Sequence, residues 1–312
     1  MLAQEAIAGG RTAILLKLAL VRGPAIMAPA PPALPPKSSM DRYAVIGNPV
    51  AHSLSPAIHA RFAAQFAERI EYVALAAPLD GFRASVERFF REGGRGANVT
   101  LPFKMEAFEL AHVRSQRARE SGAANFLARR EDGTIAADNT DGAGLVADLR
   151  DNLGMDIEGA SILMIGAGGA ARGVIGPLLG EGPARLVVAN RDVERGRALA
   201  ARFASAGQVE SCALDRIPDT AFGLVVNATS ASTLGMPLAL PDESIFRPGV
   251  LAYDMAYGAN ARAFLERATA RGARACDGLG MLVEQAAESF RLWRGRRPAT
   301  REVIAELRAG RA

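Results

Sequence analysis

The 312-residue sequence predicts a two-domain α/β fold whose first domain is built on a mostly parallel sheet. Three observations carry this expectation. Short apolar runs alternate with helical patterns from Tyr43 onward, a second alternating series begins near Ser161, and that second series opens with a glycine-rich turn between an apolar run and a helical pattern. Strands and helices taking turns indicate parallel strands joined by crossover helices. The length suffices for two cores, and 49% apolar with 22% charged residues describes a soluble globular chain.

Residues 1–39 stand apart. The run Ala13 to Val21 is short, is broken by Lys17 and is followed by Pro24, Pro29, Pro31, Pro32, Pro35 and Pro36, so it neither spans a membrane nor resembles a signal peptide. A disordered leader or a misassigned start is expected, with Met40 opening the functional protein. Arg11, Lys17, Arg22 and Lys37 against Glu5 supply +3 of the formal +4 charge, so the remainder is nearly neutral. With no basic stripe and few aromatics, nucleic acid is not an expected partner. Cys212 and Cys276 are too few for a disulfide framework, and with His52, His59 and His112 they form no metal-ligand spacing. A cytoplasmic, metal-free protein is expected.

In the first series, strands are read at Tyr43 to Ile46, Tyr72 to Leu75 and Ala97 to Val99, with helices from about Pro56 and Gly81 and a third opened by Pro102. Pro102 suits the first helical position, which puts Lys104 about two residues inside, where free N–H groups and the helix dipole disfavour a cation. A lone lysine there is either an exposed side chain with a snorkelling stem or a proton-transfer group. Ser53 and Ser55 flank the start at Pro56, with hydroxyls and free N–H groups suited to a carboxylate, although Ser55 also fits a plain N-cap. Asp141 opens a helix through Leu149, where the dipole keeps its carboxylate ionised and where, taken by itself, a capping role is enough to explain it.

The second series reads as strands Ser161 to Ile165, Arg185 to Ala189, Gly223 to Asn227 and Val250 to Asp254, with helices from Ala170 and Val193. Two further helices follow near Ala261 to Arg271 and Met281 to Trp293, then a short amphipathic segment. Gly166-Ala167-Gly168-Gly169-Ala170-Ala171 is G-x-G-x-x-A between strand and helix. Gly166 makes the turn, Gly168 admits a pyrophosphate and Ala171 lets the helix pack closely, which identifies a Rossmann-type dinucleotide site. The next strand ends in Asn190-Arg191 where NAD-binding folds place an acidic residue, so a 2′-phosphate, and hence NADP, is the expected ligand. Asp192 is read as a helix cap, leaving Arg191 and Arg195 as two cations.

The ordered blocks IGNPVAHSLSP, NVTLPFK, DNTDG, GAGGAARG, ANR, NATS, YDMAY and GLGMLVEQAA, over residues 43–298, resemble the shikimate dehydrogenase family. The resemblance implies NADP-dependent, reversible reduction of 3-dehydroshikimate to shikimate, in the pathway to chorismate and the aromatic amino acids, by a monomer or homodimer. By matched motif it implies that Ser53, Ser55 and Tyr257 hold the substrate carboxylate, while Thr100, Asn125, Asp141 and Gln285 bind the ring hydroxyls. Lys104 would be the catalytic acid and base, with Asp141 as its partner. Gly166, Ala167, Gly168, Gly169, Ala170, Asn190, Arg191 and Arg195 would hold NADP, with Met255 and Gly278 near the nicotinamide. For Gln285 to reach the substrate, the substrate domain must be discontinuous, residues 40–141 with 278–312, leaving 142–277 to the NADP-binding domain.

Three positions depart from the usual family pattern: Leu54 between the serines, Phe126 after Asn125 and Asp192 beside Arg191. The nearest alternative is a quinate or dual quinate/shikimate dehydrogenase, which shares the Lys–Asp pair; two serines at the carboxylate site favour shikimate. A non-catalytic NADP-binding sensor would have lost Lys104 or Asp141, and both are present.

Overall fold

The computed structural model describes residues 40–310, which form two six-stranded sheets. The leader expected before Met40 lies outside the described residues. The first sheet comprises β1 (Asp41–Gly47), β2 (Ile70–Ala76), β3 (Gly94–Val99), β4 (Val113–Arg114), β5 (Phe126–Arg129) and β6 (Ile135–Asp138), in the order β2-β1-β3-β5-β6-β4. Helices α1 (Ser55–Gln65), α2 (Phe82–Arg91), α3 (Lys104–Leu110) and α4 (Gln116–Ser121) lie between its strands in sequence, and α5 (Asp141–Ala147) leads out of it. β1 pairs parallel with β2 and β3, and β4 with β6, but β5 runs antiparallel to both β3 and β6. In this sheet the sequence reading found β1, β2 and β3 and missed β4, β5 and β6. The last two are four-residue strands joined by a tight turn, in which Gly133 takes φ +82° and Asp132 Oδ1 accepts the Thr134 N–H at 2.9 Å.

The second sheet comprises β7 (Ser161–Ile165), β8 (Arg185–Asn190), β9 (Val209–Ala213), β10 (Leu224–Asn227), β11 (Leu251–Asp254) and β12 (Arg274–Asp277), in the order β12-β11-β10-β7-β8-β9. Every neighbouring pair is parallel. Its central strands are continuous buried runs, Ile162 to Ile165 and Leu186 to Ala189, as strands covered by helices on both faces require. Helices α6 (Gly169–Gly180), α7 (Val193–Phe203), α8 (Asp242–Ile245) and α9 (Arg262–Thr269) interleave with it, and α10 (Leu279–Arg294) and α11 (Arg301–Ala309) close the chain.

α10 returns to the first half of the chain. Its Leu279, Val283, Ala286 and Phe290 share a core with Ile58 and Phe62 of α1 and with Val303 and Ile304 of α11. α10 also packs on α5 so closely that a Cβ at Gly144 would sit 2.7 Å from the Gln285 Cβ, so only glycine permits this approach. The helix expected from Asp141 to Leu149 stays α-helical to Ala147 and then widens into a π-helical turn, Asp148–Asn152. Asp148 is fully buried there and accepts the Tyr253 hydroxyl at 2.6 Å; burial pushes its carboxyl above the ordinary range.

Candidate active site

A cleft of about 320 Å³ opens where β1 and β3 of the first sheet and β10 and β11 of the second end. Ser53, Ser55, Thr100, Lys104, Asn125 and Asp141 line it from one side. Ala170, Met255, Tyr257, Gly278 and Gln285 complete it. Neither serine is the N-cap of α1: Leu54 holds that position, and Ser53 Oγ accepts the Ser55 N–H at 3.2 Å. The buried Ser55 hydroxyl is therefore not spent on capping.

The expected helix start at Pro102 is corrected. Leu101 to Phe103 form a turn, with a cis Leu101–Pro102 peptide, and α3 begins at Lys104. The backbone groups of the turn are engaged elsewhere: the Leu101 carbonyl accepts the Asn48 N–H at 2.9 Å, and the Phe103 N–H donates to the Thr100 carbonyl at 3.1 Å. Lys104 is thus the first helical residue, and its ammonium meets the Asp141 carboxylate across the cleft at 2.6 Å. The pair is well shielded, with side chains 14% and 6% exposed.

A buried polar chain fixes that carboxylate from behind. Asp141 Oδ1 accepts Asn125 Nδ2 at 2.8 Å, and the Thr140 N–H donates to Asn125 Oδ1 at 2.7 Å. Gln285 Oε1 lies 3.2 Å from Asn125 Nδ2, while Gln285 Nε2 donates to the Leu282 carbonyl at 2.8 Å. The chain continues from the Thr140 hydroxyl to Ser289 at 3.2 Å, from Asn98 Nδ2 to Ser289 Oγ at 2.9 Å, and from the Tyr72 hydroxyl to Asn98 Oδ1 at 2.8 Å. Sequence reasoning missed Tyr72, Asn98, Thr140 and Ser289. Asn98 and Thr140 lie inside the motifs that hold Lys104 and Asp141, so their position was a usable signal; Tyr72 and Ser289 carried none.

Of the glycine-rich segment, Ala170 lines the cleft, and the turn itself lies beside it. Gly166 takes φ +108°, and β7 passes through it into α6, which begins at Gly169. A Cβ at Gly168 would meet nothing within 4 Å, so the backbone there is open to a pyrophosphate at the α6 N-terminus; Ala167 behind it is buried. A Cβ at Gly169 would lie 3.6 Å from the Lys104 Cβ, so this turn abuts the Lys104 helix. At the end of β8, Asn190 Nδ2 donates to the Asp192 carbonyl at 2.7 Å, and Asp192 caps α7 by accepting the Arg195 N–H at 3.1 Å. The guanidinium groups of Arg191 and Arg195 are exposed and make no hydrogen bond or ion pair among the described residues. These residues fit a dinucleotide with a phosphorylated ribose. Among the described residues, no group of three or more His, Cys, Asp or Glu is placed to hold a metal ion, and no helix is long and apolar enough to cross a membrane.

Three family descriptions match in chain order: shikimate dehydrogenase substrate binding domain over 45–127, shikimate / quinate 5-dehydrogenase over 148–237, and shikimate 5′-dehydrogenase C-terminal domain over 278–308. The shikimate dehydrogenase (NADP(+)) of Dechloromonas aromatica is 54% identical over 271 residues, 86% of this chain and 98% of the relative. The crystal structure of an Ael1 enzyme from Pseudomonas putida is similar with a TM-score of 0.79 and 46% identity, over 86% of this chain and 98% of that one. Shikimate 5-dehydrogenase from Thermus thermophilus, solved with NADP(H) and shikimate, is similar with a TM-score of 0.75 and 33% identity, over 86% and 99%. With its motifs assembled around one cleft and its relatives matched nearly end to end, the chain belongs to the shikimate dehydrogenase family.

Proposed function

We propose that the protein catalyses the reversible, NADP-dependent reduction of 3-dehydroshikimate to shikimate, the step that its family relatives are named for and that feeds aromatic amino acid biosynthesis. The observation that carries this reading is the shielded Lys104–Asp141 pair, 2.6 Å apart, facing a cleft that Ala170 in the first turn of α6, Met255 and Gly278 also line. When bound, NADPH supplies a hydride to the substrate carbonyl. Negative charge then grows on the carbonyl oxygen, and the Lys104 ammonium stabilises it and delivers the proton. In the reverse direction Lys104 takes that proton back. Asp141 holds the ammonium in position, itself anchored by Asn125.

Ser53, Ser55 and Tyr257 receive the substrate carboxylate, and Thr100, Asn125, Asp141 and Gln285 its hydroxyls. Gly166 to Ala170 hold the pyrophosphate, Asn190, Arg191 and Arg195 the adenosine end, and Met255 and Gly278 flank the nicotinamide. The substrate domain is read as residues 40–141 with 278–312, which the core shared by α1, α10 and α11 supports, and the NADP domain as 142–277. A cytoplasmic location suits this chemistry. Since one matched family also covers quinate, the deciding experiment offers the purified protein shikimate or quinate with NADP or NAD and follows the absorbance of the reduced cofactor. Shikimate with NADP is expected to give the highest kcat/KM; faster turnover of quinate overturns the substrate assignment.

A further inference from the structure

Most arginines in this molecule hold a carboxylate or a carbonyl, among them Arg117, Arg267, Arg294 and Arg297. Arg172 does not. It stands in the first turn of α6, its Nε is sealed from solvent, and that nitrogen has no hydrogen-bond partner. Arg172 is half-buried, and an N–H of a cation sealed from water without a partner is costly, so native folds keep such a group only where something else supplies the missing acceptor.

The surroundings sharpen the question. Arg172 and Gly176 lie one helical turn apart, and a Cβ at Gly176 would stand 3.3 Å from the Phe203 ring, so this face of α6 looks towards α7. The charges that act on Arg172 come from α7 and are both positive: Arg202 and Arg195. With burial, they hold its guanidinium below the ordinary range. Arg202 is already engaged, donating to the Glu120 and Arg119 carbonyls at the end of α4. Arg195 and its neighbour Arg191 are not. Arg172, Arg191 and Arg195 thus have no internal partner among the described residues, and they stand at the starts of α6 and α7, which follow the neighbouring parallel strands β7 and β8 from the same sheet edge. In a parallel sheet with these crossovers, that edge is where the adenosine ribose of a dinucleotide lies.

We propose that Arg172 is a third cation of the 2′-phosphate site, a specificity-determining residue that makes the chain prefer NADP to NAD together with Arg191 and Arg195. The inference rests on the NADP reading above. A phosphate oxygen supplies the acceptor that Arg172 Nε lacks and offsets the mutual repulsion of the arginines, so the cost of leaving that N–H unpaired in the free protein is returned on binding. A ligand without the 2′-phosphate leaves that cost in place.

The test needs no turnover. The full chain, its Arg172→Gln variant and its Arg172→Lys variant are titrated calorimetrically with 2′,5′-ADP and with 5′-AMP, and the apo proteins are melted. Arg172→Gln is expected to weaken 2′,5′-ADP by about ten- to a hundredfold while leaving 5′-AMP nearly unchanged, and Arg172→Lys to restore part of the loss. The apo Arg172→Gln protein should melt at or above the wild-type temperature, because an unpaired charge has been removed. A lower melting temperature with equal losses for both nucleotides would make Arg172 structural and overturn the proposal. If the wild type distinguishes the two nucleotides and Arg172→Gln distinguishes them just as strongly, Arg172 alone is misassigned. If the wild type does not distinguish them, the NADP reading falls and this assignment falls with it.

Discussion

Lys104 has two neighbours that define its work, the Asp141 carboxylate at 2.6 Å and the glycine-rich turn beside its Cβ. Lys104→Ala is expected to lower kcat by several orders of magnitude with little change in the NADP dissociation constant, since the residues proposed to hold NADP come from the second sheet and the helices around it. Near-normal turnover would remove Lys104 from the mechanism. Asp141→Asn should also slow turnover, and a matching rise in KM would show that the carboxylate serves binding as well. A second residue acts on stability. His59 is fully buried, stacked on Tyr72 with ring centroids 4.2 Å apart, and neither ring nitrogen has a hydrogen-bond partner. Burial lowers its pKa from 6.5 to about 3, and the nearby Asn98 side chain, too poorly aligned for a hydrogen bond, opposes this only weakly. The unfolded chain therefore takes up a proton that the folded one refuses, so stability present above pH 6.5 is lost as the pH falls towards 3. In urea titrations at pH 7 and pH 5, His59→Phe should lose about 2 kcal/mol less than the wild type between the two conditions. Equal losses would mean that His59 finds a partner when charged.

At the scale of elements, the strand–turn–helix unit β7, Gly166 to Gly168 and α6 was the most legible, because its apolar run, its glycines and its helical period agree with one another. The expected parallel strands were found for the same reason. Strands β4, β5, β6, β9 and β12 were not, since each is short and broken by polar or charged residues or is too brief to form an apolar run, and the start of α3 was displaced because long-range bonds to Asn48 outweigh the local preference of Pro102. The site was legible where a motif held it, at Ser53, Lys104 and Asp141; Tyr72 and Ser289 join through packing between distant elements, which spacing does not encode. The β8–α7 junction carries its own prediction. Asp192 is committed to capping α7, so Arg191 faces solvent without a competing carboxylate contact. Arg191→Ala should weaken NADP roughly ten- to a hundredfold, about 1.5–3 kcal/mol, and leave NAD almost unchanged. Equal weakening of both, measured by fluorescence titration, would make Arg191 structural.

At the scale of the whole molecule, the decisive feature is that α10 and α11 complete a core begun by α1. Residues 278–312 also bring Gln285 to the cleft and Ser289 to the chain of hydrogen bonds behind Asp141. A protein ending at Asp277 should therefore lose shikimate binding and its cooperative melting transition, because Ile58 and Phe62 would be left facing water. Retention of both would assign α10 to the second sheet alone.

That return of the chain also bears on how the molecule is made. A ribosome delivers the first sheet early, yet the helix that covers α1 and supplies Gln285 is translated only after β12, the last strand of the second sheet. The nucleotide-binding sheet is thus fully synthesised while the sheet made before it still lacks its cover, and the apolar side of α1 stays open to wrong partners throughout. Pauses in translation between β7 and β12 should expose the nascent protein to aggregation more than pauses after α10 has emerged.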